Sequence, residues 1–223
     1  MERKFEAVIF DLDGSLVDSL WVWDKIDIDY LEKHSYQVPE DLNKIIEGMS
    51  FTEVAQYFKD RFSIEDDIED IKAEWIEMAL KAYSEDVKLR EGAEKFLEYI
   101  KSEKYRIGLG SSNTRSLIDA TLDGNGISQY FESIRTSCEV SAGKPSPDIF
   151  LKVASDLDIP ESKCIVIEDT FAGVQAAKRA NMTVIGIYDE MSAPWKEDIM
   201  ELSDHYAYNY SDVMEILKNY QGK

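Results

Sequence analysis

The hydrophobic pattern of the chain alternates between short strand-like runs and longer stretches with helical spacing. In 91–104 and 146–157, for example, apolar residues recur every three or four positions, which is typical of an amphipathic helix. The runs rich in Val and Ile that predict strands are 5–10, 105–110, 133–137, 164–167, 183–188 and, more weakly, 205–208. This alternation predicts an α/β fold with a doubly wound, Rossmann-like parallel sheet.

One long segment departs from this alternation. Between Leu16 and Val87 the pattern predicts helices and no strand, with Leu20, Trp23, Ile26 and Tyr30 at helical spacing and further helices over 51–62 and 68–83. About seventy residues are too many for a simple crossover connection. We therefore predict a catalytic core of residues 1–15 and 88–223 and an inserted all-helical cap of residues 16–87. Short hinges are expected near 16–19 and 83–88.

Composition and charge narrow the possible partners. The 223 residues are 44% hydrophobic, which is enough for one large domain with a smaller insert. The net charge of -20 argues against nucleic acid or an anionic membrane as a partner. The N-terminus lacks the apolar region of a signal peptide, and no run approaches the ~20 apolar residues of a membrane span. We expect a cytoplasmic protein, monomeric by default, that binds a small molecule.

The first strand-like run ends in a pair of acids. In VIFDLDGSLVDS, Asp11 and Asp13 are two positions apart, so in extended chain their carboxyl groups point to the same side. Two carboxylates that close repel each other. A bound cation, a proton held by one of the pair, or both would offset the repulsion.

Polar residues also follow the other predicted strands. Because ligands of open α/β sheets bind beyond the carboxyl ends of the strands, these residues are expected to converge. They are Ser111, Ser112 and Asn113 after the second run, Lys144 after the third, and Glu168 and Asp169 after the fourth. Carboxylates, hydroxyl and amide donors and one ammonium fit phosphoryl transfer assisted by a hard cation such as Mg²⁺.

Four segments resemble the ordered motifs of the haloacid dehalogenase superfamily: DLDGSLVDS, GLGSSN, GKPSPDIF and IEDTFAGVQAAKRA. With the helical insert directly after the first motif, the chain resembles the helical-cap branch that includes β-phosphoglucomutase-like phosphatases. The resemblance implies that Asp11 attacks phosphorus and forms an aspartyl-phosphate. It also implies that Asp13 protonates the leaving alcohol and later takes a proton from water.

The resemblance also implies how the remaining site residues divide their roles. The metal ligands would be the Asp11 carboxylate, the Asp13 main-chain carbonyl and Asp169. Glu168 would either bind the metal as a further ligand or contact the ligands without binding the metal itself. The phosphoryl group would be bound by Ser111, Ser112, Asn113 and Lys144, with Ser111 favoured over Ser112 as the serine directly after the strand. The Lys144 ammonium and the metal are expected to keep Asp11 ionised.

Several positions of the chain favour one of the reactions found within the family. Asp13 disfavours a dehalogenase or a phosphonatase, since both lack an acid at this position. In β-phosphoglucomutases an arginine follows a Gly-x-Ser in the cap, and a histidine lies on the first cap helix. Here Phe51 follows Gly48 and Ser50, and Trp23 stands in place of the histidine. These departures favour a Mg²⁺-dependent hydrolase of small phosphomonoesters over a sugar phosphate mutase or a silent binding module.

The same cap positions are candidates for contact with the substrate. Trp23, Gly48 and Ser50 are predicted on the substrate side of the cap. For Trp23 the alternative is a place in the apolar core of the cap, because an aromatic stripe at helical spacing is typical of a buried helix face.

Overall fold

The computed structural model describes residues 4–39, 42–46, 49 and 51–221. In this part of the chain the strands are β1 (Ala7–Phe10), β2 (Val17–Asp18), β3 (Lys88–Leu89), β4 (Arg106–Ser111), β5 (Ser133–Thr136), β6 (Cys164–Glu168), β7 (Thr183–Ile187) and β8 (His205–Ala207). Six of them form one parallel sheet in the order β5-β4-β1-β6-β7-β8. The predicted strands are confirmed within one or two residues at their ends.

The helices cover both faces of this sheet, which confirms the doubly wound fold. They are α1 (Trp21–Lys33), α2 (Leu42–Ile46), α3 (Phe51–Phe62), α4 (Ile68–Glu85), α5 (Ala93–Ser102), α6 (Arg115–Gly124), α7 (Asp148–Leu157), α8 (Phe171–Arg179), α9 (Lys196–Leu202) and α10 (Tyr210–Gln221). Successive residues of β1 belong to opposite faces: Val8 and Phe10 join one buried apolar cluster, and Ala7 and Ile9 join the other. No helix within the described ranges combines the length and the apolar character needed to cross a bilayer.

The insert between β2 and β3 is helical, as predicted, and its interior is aromatic. The Trp75 ring lies edge-on to Tyr30 and Phe58, with ring centroids 5.5 and 5.0 Å away. Edge-to-face pairs of this kind add stability beyond the area they bury. The aromatic interior of the helical cap is continuous with the apolar cluster on one face of the sheet.

The expectation of no strand between Leu16 and Val87 is wrong at one point. Val17–Asp18 pairs with Lys88–Leu89 as a short antiparallel ribbon, so the two predicted hinges lie side by side. A strand of two residues is too short to show an alternation of apolar and polar positions in the sequence. The pairing forms because the fold brings the two hinges next to each other. The ribbon joins the helical cap to the sheet.

The second hinge is fixed to the core helix α6. An added Cβ on Gly124 would lie 2.2 Å from the Ser84 carbonyl oxygen, so only glycine permits this approach of α4 to α6. The next residue, Asn125, donates from its side chain to the Val87 carbonyl (3.0 Å) and accepts from the Leu89 amide (3.2 Å). These bonds hold the path of the chain between α4 and β3.

Candidate active site

The sheet order places the predicted site residues together. β1 lies between β4 and β6, so Asp11, Ser111 and Glu168 reach the same edge from three adjacent strands. This edge is formed by the carboxyl ends of parallel strands, where α/β proteins bind ligands. Lys144, in the loop before α7, joins them.

Lys144 is the central cation of this edge. Its Nζ pairs with Asp11 and, at 2.7 Å, with Glu168, although the three residues are far apart in the sequence. The Lys144 side chain is only 7% exposed, and its Nζ lies 5.0 Å from the centre of the Phe150 ring. A buried ammonium needs such partners because its desolvation is costly. Lys144 and Asp11 are therefore neighbours at this edge, and their roles in catalysis stay predictions.

The site holds more buried negative charge than Lys144 balances. Burial raises the pKa of Asp11 to about 8; Lys144 opposes this rise, and Glu168 and Asp13 add to it. Burial and the neighbouring carboxylates of Glu168 and Asp11 likewise raise the pKa of Asp169. Burial lowers the pKa of Lys144, but its two carboxylate partners outweigh burial and raise that pKa. Burial and Lys144 therefore act on Asp11 in opposite directions, and a further cation beside it would favour its ionised form.

The donor set fits such a cation. Asp11, Glu168 and Asp169 each offer a carboxylate oxygen, and these oxygens lie within 4.8 Å of one another. Ser15 donates to Asp169 Oδ1 (2.9 Å), whereas the buried Oδ2 has no hydrogen-bond partner among the described residues. Oxygen ligands of this kind suit Mg²⁺.

Gly14 makes room for the unpartnered Asp169 oxygen. It has a φ of +77°, and an added Cβ would lie 2.4 Å from Asp169 Oδ2. A side chain here would be strained by the backbone and would also collide with the carboxylate. The glycine of the DLDG segment thus lets the first acidic loop approach the second.

Glu168 is held by Lys144 and by Thr170, to which the sequence analysis gave no role. Thr170 donates to Glu168 Oε1 from its amide (2.9 Å) and its hydroxyl (2.7 Å), and the same hydroxyl caps α8 by accepting from the Gly173 amide (3.1 Å). With Lys144 on its other oxygen, Glu168 already accepts three hydrogen bonds. The signal for Thr170 was available, since Thr is a favoured N-cap.

Asp13 lies in a different set of contacts from Asp11. Ser19 and Tyr83 each donate to Asp13 Oδ1 at 2.7 Å, and Asn113 donates its side-chain amide to Oδ2 at 3.1 Å. Tyr83 is in α4, so a cap helix contacts the acid directly. Ser19 lies within the DLDGSLVDS motif, but no local pattern connects Tyr83 with a residue seventy positions earlier.

The three residues predicted to bind the phosphoryl group after β4 have different surroundings. Ser111 is 1% exposed, and its hydroxyl accepts from the Asn113 amide at 3.0 Å, while Ser112 is exposed. The Asn113 side chain is engaged with Asp13. Roles in phosphate binding stay predictions for Ser111, Ser112 and Asn113.

Arg90 is a partly buried cation near the site, with its side chain 15% exposed, and the sequence analysis missed it. Its guanidinium donates to the carbonyl oxygens of Gly14 and Tyr188 and pairs with Asp189 at 3.3 Å. Arg90 therefore ties the first acidic loop to the segment that follows β7. A lone arginine after a predicted hinge carries no sequence signal for such a role.

Of the candidate cap residues, Trp23 alone can be located. It is 38% exposed at the edge of the aromatic cluster, and its ring lies edge-on to Phe51 at 5.7 Å. Gly48 and Ser50 lie outside the described residues. Contact of these three positions with substrate stays a prediction.

Comparison with known proteins identifies the family. Residues 8–187 match the family model of the haloacid dehalogenase-like hydrolases. The chain belongs to this family. The match spans the predicted motifs and the helical cap together, so it confirms the resemblance noted from the sequence.

Relatives within the family include both a phosphatase and a mutase. The chain is 30% identical over 177 residues to the phosphorylated carbohydrates phosphatase of Thermotoga maritima, covering 79% of this chain and 82% of the relative. It is also 30% identical over 195 residues to the β-phosphoglucomutase of Bacillus subtilis, covering 82% and 83%. A crystal structure of a Thermotoga maritima protein assigned as a β-phosphoglucomutase superposes with a TM-score of 0.84 at 28% identity, covering 96% of this chain and 99% of the other.

Proposed function

We propose that this haloacid dehalogenase-like hydrolase is a Mg²⁺-dependent phosphatase that acts on a small phosphorylated metabolite through an aspartyl-phosphate. The observation that carries the proposal is the contact of Lys144 with both Asp11 and Glu168, beside the unpartnered oxygen of Asp169. An excess of buried carboxylates around one ammonium suits a metal ion and the phosphoryl group of a substrate together.

In the first step Asp11 acts as the nucleophile. A carboxylate oxygen of Asp11 forms a bond to phosphorus while the bond from phosphorus to the ester oxygen breaks. Asp13, in its protonated form, gives its proton to that oxygen, so a neutral alcohol leaves. Lys144 and Ser111 stabilise the negative charge that spreads over the phosphoryl oxygens.

In the second step water releases the enzyme. Asp13, now a carboxylate, takes a proton from a water molecule as its oxygen attacks phosphorus. The bond between phosphorus and the Asp11 oxygen breaks, which frees inorganic phosphate and restores Asp11. The first step needs Asp11 as a carboxylate, and the second step returns it to that form.

We propose Asp11, Asp169 and the Asp13 main-chain carbonyl as the metal ligands, with Glu168 bordering the same space. When bound, Mg²⁺ would supply positive charge that favours the ionised form of Asp11 and polarises the phosphoryl oxygens. Since both Glu168 oxygens already accept hydrogen bonds, we assign Glu168 first to holding Lys144. Asp169, with a free oxygen, is the better placed ligand.

The cap, for which we keep the proposed boundaries 16–87, would set the position of Asp13. Two of the three donors to Asp13 come from this segment: Ser19 in the first hinge and Tyr83 in α4. A change in cap position therefore changes the contacts of the acid. Closure of the cap over substrate would also exclude water from the phosphoryl group.

Hydrolysis is favoured over the mutase reaction by the apolar surface of the cap. Trp23 and Phe51 contact each other at the two positions where β-phosphoglucomutases carry a histidine and an arginine. A mutase must grip the second phosphate of its intermediate, and neither ring supplies a positive charge. Sugar phosphates remain the first substrates to test, because one relative is a phosphatase of phosphorylated carbohydrates.

The replacement Asp11→Asn tests the proposal. With Mg²⁺, the wild type is expected to release phosphate from p-nitrophenyl phosphate and from a panel of sugar phosphates, and Asp11→Asn to lose about 10⁴-fold or more of this activity. An Asp11→Asn variant with near-normal turnover would show that the nucleophile is misassigned. Isomerisation of β-glucose 1-phosphate to the 6-phosphate would indicate a mutase. If the wild type turned over none of the esters, the protein would be a binding module.

The same variant gives an independent readout through its thermal stability in EDTA. Because the pKa of Asp11 is raised from 3.8 to about 8, the native protein retains a proton that the unfolded chain releases. Stability attributable to this group therefore falls as pH rises from about 4 to 8. Asn carries no charge, so Tm of the variant relative to wild type is expected to increase between pH 5 and pH 8. Equal differences at both pH values would contradict this charge balance.

A further inference from the structure

An apolar pocket of about 420 Å³ opens beside the acidic cluster. Its apolar lining includes Leu20 next to the first hinge, Phe171 at the start of α8, and Met191 and Trp195 in the segment after β7; Asp169 also lines it. Pockets of this size with apolar walls and a few polar groups are typical of small-molecule sites. None of the four apolar residues has a role in the proposed chemistry.

The pocket walls expose much of their apolar surface to solvent. Met191 is 61% and Trp195 is 57% exposed, and the Phe171 and Trp195 rings are almost parallel, at 13°, with centroids 6.3 Å apart. Large exposed apolar side chains gathered around one concave site are typical of a ligand-binding surface. Flat parallel rings provide a surface for a planar apolar group.

The pocket is continuous with the reacting groups. Asp169 borders it and also belongs to the cluster with Asp11 and Glu168. Leu20, which also lines the pocket, directly follows Ser19, whose hydroxyl donates to Asp13. A phosphoryl group at Asp11 would therefore have its ester oxygen near both Asp13 and the opening of this pocket.

We propose that the pocket bounded by Leu20, Phe171, Met191 and Trp195 binds the leaving group of the substrate, and that this group is planar and apolar or aromatic. The proposal rests on the proposed function, because it assigns a substrate class to the same site. In a protein with a net charge of -20, apolar contact supplies affinity for a phosphomonoester without requiring further cations. Trp195 is the specificity-determining residue of this pocket.

Two phosphate esters with leaving alcohols of similar acidity test this assignment. We expect wild type with Mg²⁺ to hydrolyse benzyl phosphate about tenfold or more faster, in kcat/KM, than ethyl phosphate. Trp195→Ala should lower kcat/KM for benzyl phosphate about fivefold to tenfold and leave ethyl phosphate within about twofold. Tyr208→Ala is the matched control, because Tyr208 is 53% exposed but does not line the pocket.

Binding of benzylphosphonate and ethylphosphonate, measured by titration calorimetry, separates this proposal from the proposed function. Tighter binding of benzylphosphonate that weakens about fivefold in Trp195→Ala supports the pocket even if neither ester is hydrolysed; that result would overturn only the phosphatase assignment. The leaving-group assignment is overturned if wild type shows no preference for the benzyl compounds. It is equally overturned if Trp195→Ala affects the benzyl and ethyl compounds alike.

Discussion

Among the described residues, buried polar groups are paired more extensively at the candidate site on the sheet edge, where Asp169 Oδ2 lacks a partner, than in the interior of the cap. At the sheet edge, the fully buried Glu168 accepts from Lys144 and twice from Thr170. In the cap, the buried hydroxyl of Tyr30 and the indole N–H of Trp75 have no hydrogen-bond partner among the described residues. The rings of these two residues pack edge-on at 5.5 Å instead.

This difference shows two ways in which the positions of buried side chains are fixed, namely by charge pairing and hydrogen bonds or by aromatic packing. Buried charges must be matched because an unpaired charge in a low-dielectric interior is costly, so the geometry of the sheet edge is fixed by many directional contacts. Aromatic packing is less directional and depends mainly on shape. We therefore expect substitutions at the sheet edge to abolish function, those at the junction to reduce it, and those inside the cap to leave it intact.

The largest effect is expected for Lys144→Met, which removes the ammonium and keeps an unbranched apolar chain. The variant should lose about 10²- to 10³-fold in kcat, because charge on the phosphoryl group is no longer balanced. Leaving Asp11 and Glu168 without their partner should also lower the free energy of unfolding by about 3–5 kcal/mol. Phosphatase assays and urea denaturation measure the two losses.

Lys152→Met is the control for that experiment. Lys152 lies in α7 and pairs with Asp156 on the surface at 2.9 Å, with its side chain 44% exposed. Exposed pairs contribute about 1 kcal/mol or less, so this variant should retain its activity and nearly all its stability. Similar losses in both variants would mean that the two lysines are equivalent. The positive charge of Lys144 at the sheet edge would then have no particular role in activity or stability.

A smaller effect is expected at the junction of the two regions, in Tyr83→Phe. The variant keeps the ring but loses the hydrogen bond to Asp13, so the acid is less well positioned and kcat should fall about tenfold. KM should change little, because Tyr83 holds the acid and not the phosphoryl group. Tyr57→Phe, another ring of the cap that packs on Phe58 and Phe62, is expected to match wild type. A change confined to KM would contradict a positioning role for Tyr83.

The smallest effect is expected inside the cap. Tyr30→Phe removes a buried hydroxyl that has no partner in the described residues, so the free energy of unfolding should stay within about 1 kcal/mol of wild type or rise. Tyr210→Phe is the counterpart in the core. Its buried hydroxyl donates to the Ser15 carbonyl at 3.0 Å, and its loss should cost about 1–3 kcal/mol. If the two substitutions cost the same, the proposed contrast between core and cap is wrong.

Much of the fold could be predicted from local patterns, because strands and amphipathic helices show a periodic spacing of apolar residues in the sequence. The strands ending near Phe10 and Ile187 and the cap helices α1, α3 and α4 followed from this periodicity, whereas the short helix α2 did not. The ribbon of Val17–Asp18 with Lys88–Leu89 did not, since each of its strands is only two residues long. For the candidate site, the acids and Lys144 stand directly after strands or in a recognisable motif, whereas Tyr83 and Arg90 have no local signature.

The sequence by itself determined the alternation of strand and helix, the helical insert, and the set of acids with one lysine that the strand ends would carry. Periodicity and spacing are local properties, so they can be recognised in the sequence before the fold is known. Only the tertiary structure decided that Tyr83 holds Asp13 and that Glu168 is engaged by Lys144. It also gathered Leu20, Phe171, Met191 and Trp195 around one pocket. These contacts join residues whose separation along the chain carries no period, and their distances are set by packing of the whole molecule.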